Sequence, residues 1–239
     1  MSSLILVRHG QAHAFERDSD RLTSLGEAQA RKLASHWIRG RVVFDEVYHG
    51  TLTRQQQTAE IVGRAYHDAH QPWPGFEVLA GLNEYDAGGI LKQLAPQLAA
   101  KDPAFRALDQ QWRASSGLAN DNRAFQRMFE VLMKQWLQGA LRADEVEPWA
   151  GFRDRVRQAI RGITERGGSG RRIAVFSSGG PIGVMVQTAL AAPDPAALEV
   201  NWRVRNTSLT EFIFSKQRVS LERFNDLGHL EDPALWTFR

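Results

Sequence analysis

The sequence predicts an α/β fold, arranged as three layers (α/β/α) around a mainly parallel central sheet. Three observations lead to this prediction: short apolar runs that end at glycine-containing turns, helical patterns between these runs, and one long helical stretch that interrupts the alternation. Short runs rich in β-branched residues are typical of strands buried in a parallel sheet. Their alternation with helices favours a sheet that helices cover on both faces.

The predicted strands differ in how clearly the sequence marks them. The clearest are 3–7 and 173–177, which are apolar runs followed by glycine-containing turns. Segment 42–48 is a weaker candidate for a strand, and 77–79 is another. Two late runs, separated by Ser-Lys-Gln, predict a hairpin: 208–214 and 218–224.

Three helices are predicted between the strands. The first covers 24–38, where Ser24 and Glu27 form a capping-box pair at its start. The second covers 53–67, and its apolar residues recur at helical spacing. The third covers 181–190 and follows two consecutive glycines.

The stretch 88–166 breaks the alternation because it shows only helical patterns. Two apolar stripes run along it, and we interpret both as buried core: Phe125, Met128, Phe129, Leu132, Met133, Trp136 and Leu137, then Trp149, Phe152, Val156, Ile160 and Ile163. We expect residues 1–239 to form one domain in which about 88–148 is a helical insertion. This insertion is expected to cover part of the carboxyl edge of the sheet, where open α/β sheets bind ligands, and to shape the specificity pocket.

Composition and charge exclude several classes of protein. The chain has no cysteine, which excludes disulfides, thiolate metal sites and cysteine nucleophiles. The net charge is +3 and basic residues alternate with acidic ones, which argues against nucleic-acid binding. No apolar stretch approaches the roughly 18 residues of a membrane span, and 4–7 is too short for a signal peptide. We therefore expect a cytoplasmic protein that binds neither nucleic acid nor membrane.

Charged and polar residues follow the predicted strands at the carboxyl edge. Arg8 and His9 end the first strand, and Arg54 lies in the first turn of the second helix. Glu84 follows the short fourth candidate strand, and Ser178 follows the second of the two clear strands. A guanidinium beside a helix N-terminus is a natural phosphate site, since both offer N–H donors and positive charge. The sequence therefore predicts a phosphate site that contains a histidine.

In this order, the motifs resemble those of the histidine phosphatase superfamily, the phosphoglycerate-mutase-like proteins. The matching segments begin with Arg-His-Gly-Gln and then span nearly the whole chain: 8–11, 22–30, 52–59, 82–88, 206–208 and 228–230. Each motif alone is weak. The specificity of the resemblance lies in the number of motifs and in their order.

The resemblance implies a role for each matching residue. His9 would attack phosphorus and form a phosphohistidine, while Arg8 and Arg54 hold the phosphoryl oxygens. Glu84 would donate a proton to the leaving oxygen and then help to activate water. Guanidinium charges lower the pKa of a neighbouring imidazole and stabilise a transferring phosphoryl group, which agrees with these roles. Neither a metal nor a cofactor is needed.

The sequence departs from the family pattern at Ser178, where a second histidine is usual. Losing one hydrogen-bond donor from such a site typically lowers the rate by about 10²–10³. Ser178 still offers a neutral donor, and the backbone N–H groups from Gly179 onward face an anion at the predicted helix start. Gln11 is a further candidate phosphate ligand, although it would equally well bond the turn backbone.

Three other histidines are candidates to compensate for the missing one. His229 is the first, because the segment around it could fold over the site. His49 precedes the second arginine motif, and His13 follows Gln11. Each of the three is also consistent with a purely structural role.

Three functions remain in competition. The leading hypothesis is a phosphomonoester hydrolase that acts on a small phosphorylated substrate. The first alternative, which the serine motivates, is a non-catalytic protein that binds a phospho-ligand or inorganic phosphate on the same fold. A phosphoglycerate mutase is the less favoured alternative. Neither the substrate nor the oligomeric state follows from the sequence.

Overall fold

The computed structural model describes residues 1–13, 20–115, 121–215 and 218–238, and these contain a six-stranded sheet. Its strands are β1 (Ser2–Arg8), β2 (Glu46–His49), β3 (Phe76–Val78), β4 (Arg172–Ser177), β5 (Leu209–Phe214) and β6 (Val219–Asp226). Their order across the sheet is β3-β2-β4-β1-β5-β6. The first four strands in this order pair in parallel, whereas β5 pairs antiparallel with both of its neighbours, β1 and β6. The predicted α/β class, mainly parallel sheet and late hairpin are confirmed.

Helices occupy most of the remaining described chain. They are α1 (Ser24–Arg39), α2 (Thr53–Asp68), α3 (Ala87–Lys101), α4 (Pro103–Ser115), α5 (Asp121–Leu137), α6 (Trp149–Thr164), α7 (Gly179–Ala189) and α8 (Pro195–Asn201), with short 3₁₀ helices at Ala80–Leu82 and Pro233–Leu235. Within the described ranges, we find no helix that combines the length and the apolar character needed to cross a membrane.

The predicted cap of the first helix and the predicted start of the strand at 42–48 were wrong, by one and by four residues. The predicted capping box at Ser24 is displaced, because Thr23 caps α1 by accepting the backbone N–H of Gly26 at 3.1 Å. The strand predicted at 42–48 begins only at residue 46. Its first residue cannot join the sheet, since the N–H of Val42 bonds the carbonyl of Trp37 in α1 at 2.9 Å.

β1 lies between β4 and β5, and its residues 4–7 are all buried, as expected of a strand covered on both faces. On one face, α1 and α2 pack against the sheet through one core: Ile5, Val7, Leu33, Ala34, Trp37, Phe44, Val47, Ala59, Val62, Tyr66, Ala174, Phe176 and Leu209. α7 also packs against β1. The strands that carry the candidate site are therefore held rigidly.

The chain divides into two compact units. One comprises Met1–Glu84 and Arg155–Arg239 and contains the sheet, and the other is Tyr85–Asp154. The regular structure of the second unit is helical, and it reaches a few residues beyond the predicted insertion at 88–148 on each side. That this segment covers the carboxyl edge of the sheet stays a prediction.

The apolar stripes of the helical stretch are core, as predicted. All of their members are buried except Leu137, which is half-buried. Inside the second unit, the ring of Trp136 lies 5.4 Å from that of Trp149 and 5.3 Å from that of Tyr85, between centroids. These residues therefore stabilise the helical unit.

Candidate active site

His9 follows β1 directly and is held by backbone contacts from two other segments. Its N–H donates to the carbonyl of Ser177 at the end of β4, at 2.9 Å. Its own carbonyl accepts Nδ2–H of Asn206 at 3.0 Å and the N–H of Thr207 at 3.3 Å. Thr207 has a φ of 55°, which is unusual for a residue with a branched side chain. The main chain of the histidine is thus fixed from both sides.

The hydrogen bonds of the His9 ring define its tautomer. Nδ1 lies 2.7 Å from the carbonyl oxygen of Gly10, and a carbonyl can only accept, so Nδ1 carries the hydrogen. Nε2 lies 3.1 Å from Nε of Arg54, and a guanidinium can only donate, so Nε2 carries the lone pair. The ring therefore presents a neutral, basic Nε2 towards an arginine.

The surroundings of His9 keep its ring neutral. Burial contributes most to holding the pKa of His9 well below its usual value, and the positive charges of Arg54 and Arg8 lower it further. The hydrogen bond to the carbonyl of Gly10 acts in the opposite direction but is the smaller effect. The unprotonated ring, which is the nucleophilic form, therefore dominates at neutral pH.

Arg54 lies in the first turn of α2, and within the described ranges its guanidinium contacts two other side chains. Besides the contact with His9, its Nη1 pairs with Oδ1 of Asp20 at 2.5 Å. The other oxygen of Asp20 accepts the N–H of Thr53 at 2.6 Å, so one carboxylate holds both the helix start and the guanidinium. Thr58 links this helix to the residue after His9, because its hydroxyl accepts the N–H of Gly10 at 3.0 Å. Sequence reasoning missed Asp20, since one acid among several in a polar stretch carries no signal.

Arg8 lies beside His9 in the chain, and its charge acts on the ring. Its Nη1 donates to the carbonyl of Val204, in the segment after α8. The structure thus brings together His9, Arg54 and, through its field, Arg8.

Ser178 and Glu84 meet at the start of α7. Ser178 is fully buried, and its hydroxyl accepts Nε2–H of Gln55 at 2.8 Å. Oε2 of Glu84 accepts the N–H of Gly180 at 3.0 Å, which places a carboxylate at the helix N-terminus. One of the N–H groups that the sequence offered to a phosphate is therefore occupied by Glu84. A side chain at Gly179 would lie 2.3 Å from Oδ1 of Asn201, so close packing also requires this glycine.

Gln11 bonds structural groups of the loop. Its side-chain oxygen accepts the hydroxyl of Thr23 at 2.9 Å, and its N–H donates to Oε1 of Gln29 at 2.8 Å. These contacts agree with the alternative in which Gln11 supports the loop. Its role as a phosphate ligand stays a prediction.

His229 supports the site loop from behind. It is buried, and its Nε2 lies 3.0 Å from the hydroxyl of Thr207, whose N–H bonds the carbonyl of Arg8 at 3.0 Å. Burial is the main reason that its pKa falls to about 4, with a smaller effect from His36. A neutral ring that bonds a threonine agrees with the structural role, and compensation for the missing histidine by His229 stays a prediction.

The other two candidate histidines also have local partners. Nδ1 of His49 lies 2.6 Å from the carbonyl of Gly50, and its ring packs edge-on against Phe76. The backbone N–H of His13 donates to the backbone carbonyl of Arg21 at 3.0 Å. Within the described ranges, no three His, Asp or Glu side chains come together as a metal site.

A short segment, 235–237, is tied to the same loop, and we call it the 235–237 strap. The hydroxyl of Thr237 donates to Oδ1 of Asn206 at 2.9 Å, and its carbonyl accepts the N–H of Asn206, also at 2.9 Å. Nε2 of Gln29 donates to the same hydroxyl at 2.9 Å and to the carbonyl of Leu235 at 2.8 Å. Since Asn206 donates to the carbonyl of His9, the strap supports His9 through Asn206. The sequence marked residues 206–208 as a motif without showing this role.

Comparison with known proteins was made at the level of sequence and of structure. The family model described as the histidine phosphatase superfamily (branch 1) matches residues 4–134 and 116–227. No curated protein sequence gave a match.

Solved structures with a similar fold include three phosphatases. They are the alpha-ribazole phosphatase from Shigella flexneri (18% identity, TM-score 0.59, covering 94% of this chain and 96% of that one), the phosphoserine phosphatase from Entamoeba histolytica in complex with 3-phosphoglyceric acid (20%, 0.60, 96% and 100%), and a mycobacterial glucosyl-3-phosphoglycerate phosphatase with inorganic phosphate (18%, 0.60, 95% and 98%). At these identities the likeness establishes the shared fold.

Proposed function

Because this chain belongs to the histidine phosphatase superfamily (branch 1), we propose that it hydrolyses phosphate monoesters through a phosphohistidine on His9. One observation carries the proposal. Nδ1 of His9 is tied to the carbonyl of Gly10, so the lone pair lies on Nε2, next to Arg54. The ring is thus held as a neutral nucleophile beside a phosphate-binding cation.

The proposed reaction has two displacements. Nε2 of His9 attacks phosphorus and the bond from phosphorus to the ester oxygen breaks, while Glu84 gives its proton to the departing alcohol. Water then attacks phosphorus and gives a proton to Glu84, while the bond from phosphorus to Nε2 of His9 breaks and inorganic phosphate leaves. The guanidinium of Arg54 now covers the lone pair of Nε2, so it has to turn from the ring to the phosphoryl oxygens when substrate binds. Charge that develops on those oxygens is then stabilised by Arg54 and Arg8.

The test is hydrolysis of 4-nitrophenyl phosphate in the presence of EDTA, with acid-quench trapping of the phosphoenzyme. We expect phosphate release by the wild type, loss of at least about 10³ in kcat for His9→Ala, and no trapped phosphate on that variant. His67→Ala is the control, because this exposed histidine lies near the far end of the same helix as Arg54. Equal inactivity of wild type and His9→Ala on a broad panel of phosphate esters would overturn the proposal.

A second function is a protein that binds a phospho-ligand without turnover. Ser178 favours it, because a neutral hydroxyl stands where the family pattern usually has a second histidine, so a charged donor to the transferring phosphoryl group is missing there. This alternative predicts that inorganic phosphate binds by calorimetry, that Arg54→Ala abolishes binding, and that no phosphoenzyme forms. Trapped phosphoenzyme contradicts it. A coupled assay with 3-phosphoglycerate tests the mutase hypothesis in the same preparation.

A further inference from the structure

Gln55, the neighbour of Arg54 in α2, is a buried amide with an unequal set of partners. Its Nε2 donates both hydrogens, to the hydroxyl oxygen of Ser178 at 2.8 Å and to the carbonyl of Leu82 at 3.2 Å. Its Oε1 is buried as well, and no donor in the described ranges reaches it. A buried acceptor without a donor costs stability, so a residue that leaves one is expected to be kept for another reason.

The partners of Gln55 fix which way its amide points. The oxygen of Leu82 can only accept, so the group that faces it has to be the NH₂ and not the carbonyl oxygen. The same NH₂ faces Ser178, whose hydroxyl oxygen is therefore the acceptor. A hydroxyl that accepts in this way still has one proton to donate, and that proton points away from Gln55.

The packing around Gln55 leaves room for this amide. Gly50 is the first residue after β2, and a Cβ built on it would lie only 1.9 Å from Oε1 of Gln55. Any larger residue at position 50 would displace the amide. The carbonyl of Leu82 has a second donor, the hydroxyl of Ser177 at 2.7 Å, so it does not depend on Gln55. The interaction that only Gln55 provides is the one with Ser178.

We infer that Gln55 is a positioning residue of the phosphate site. By donating to Ser178, its amide directs the Ser178 hydroxyl proton towards a phosphoryl group bound at His9. Ser178 and His9 lie at the ends of adjoining strands, because Ser178 follows Ser177, whose carbonyl accepts the N–H of His9. The inference rests on the proposed function, since it needs phosphate in this site. It adds a neutral donor pair that serves where a charged donor would otherwise be expected.

The inference makes opposite predictions for stability and for activity. Gln55→Met removes the donor and also the unpaired oxygen, so the melting temperature should stay the same or rise, while kcat/KM falls about tenfold. A purely structural Gln55 would show a fall in melting temperature instead. Gln55→Glu reverses the hydrogen bond, because a carboxylate accepts it from the Ser178 hydroxyl. This variant should therefore reduce kcat/KM further than Gln55→Met.

The experiment is a double-mutant cycle of Gln55→Met with Ser178→Ala, read by kcat, KM and the calorimetric Kd for inorganic phosphate. If Gln55 acts through Ser178, each single variant loses about tenfold and the double variant loses no more than Ser178→Ala alone. Additive losses, or unchanged activity and phosphate affinity in Gln55→Met, would overturn the inference. Gln56→Met is the matched control, since the Gln56 side chain is exposed on the same turn and donates to Glu60, away from Ser178.

Two readouts separate this inference from the proposed function. If the wild type turns over but the Gln55 variants match it in rate and phosphate affinity, only the inference fails. If the wild type does not turn over and yet Gln55→Met weakens phosphate binding by the same factor as Ser178→Ala, the hydrolase proposal fails and the positioning role of Gln55 stands.

Discussion

Nε of Arg54 donates to Nε2 of His9 at 3.1 Å, so the cation lies against the lone pair that would attack phosphorus. In this arrangement the arginine both disfavours protonation of His9 and covers its lone pair. In the proposed reaction, substrate has to draw the guanidinium away before the ring can react. The proposed chemistry is therefore coupled to one side-chain movement.

The first prediction concerns the pH dependence of this pair. Protonated His9 cannot attack, and its pKa is well below the usual value, so kcat/KM should hold its plateau well below pH 6.5. Arg54→Gln removes one of the positive charges that lower this pKa, so the acid limb should move to higher pH. A ¹³C NMR titration of the His9 ring measures the shift directly. An unchanged or lower pKa in Arg54→Gln would contradict the assignment.

Asp20 should compete with phosphate for Arg54. Asp20→Asn removes a negative charge 2.5 Å from Nη1 of the arginine but keeps an oxygen for the N–H of Thr53. We expect inorganic phosphate to bind a few-fold more tightly, by calorimetry at low ionic strength. Asp109→Asn, which breaks an ion pair on α4, is the control for general loss of charge. Weaker phosphate binding in Asp20→Asn would mean that Asp20 positions the guanidinium instead.

Glu84→Gln should separate leaving groups by their basicity. The amide still offers an oxygen to the N–H of Gly180, so the local structure is kept, but no proton can be given to the leaving oxygen. We expect kcat to fall about 10²–10⁴-fold for alkyl phosphates and much less for 4-nitrophenyl phosphate, whose leaving group needs little assistance. Equal losses on both substrates would show that Glu84 is not the proton donor.

The buried His229 should make folding sensitive to acid. Its pKa is lowered from 6.5 to about 4 in the folded protein, so the unfolded chain binds the proton more readily. Stability is therefore complete above pH 6.5 and is lost as pH falls towards 4, by at most about 3 kcal/mol for this group. Urea denaturation above pH 6.5 and near pH 4 should show that the free energy of unfolding falls less with acid in His229→Gln than in the wild type. Since His9 acts in the same direction, part of the loss will persist.

The same variant tests whether His229 compensates for the missing histidine. Its ring bonds Thr207, so His229→Gln should keep most of the activity at pH 7. A fall of about 10² or more in kcat, with stability unchanged, would indicate that His229 takes part in catalysis.

Much of the fold was predictable because hydrophobic patterning reports burial. The run at the start of the chain had to be a central strand, since four successive apolar residues cannot all face water. Helix starts were less certain, because Thr23 and Ser24 are both good N-caps. The hydrogen bond from the N–H of Gly26 to the Thr23 hydroxyl decides between them.

The candidate site was predictable only in part. His9 and Arg54 were recognisable from their motifs, and the structure brings them into contact. Gln55 was not, because the first of three consecutive glutamines at a polar helix start looks like a solvent-exposed residue. It becomes a site residue only through Ser178, which is 123 positions away in the chain. Such a contact depends on tertiary structure and leaves no local pattern.

The 235–237 strap has a consequence for when the protein becomes competent. Asn206 reaches His9 across 197 positions, and Thr237 reaches Gln29 across 208. While the chain is being synthesised, β1 and its histidine emerge long before the residues that anchor them. The anchor of His9 is therefore completed late, and a nascent chain would lack it until residue 237 has left the ribosome.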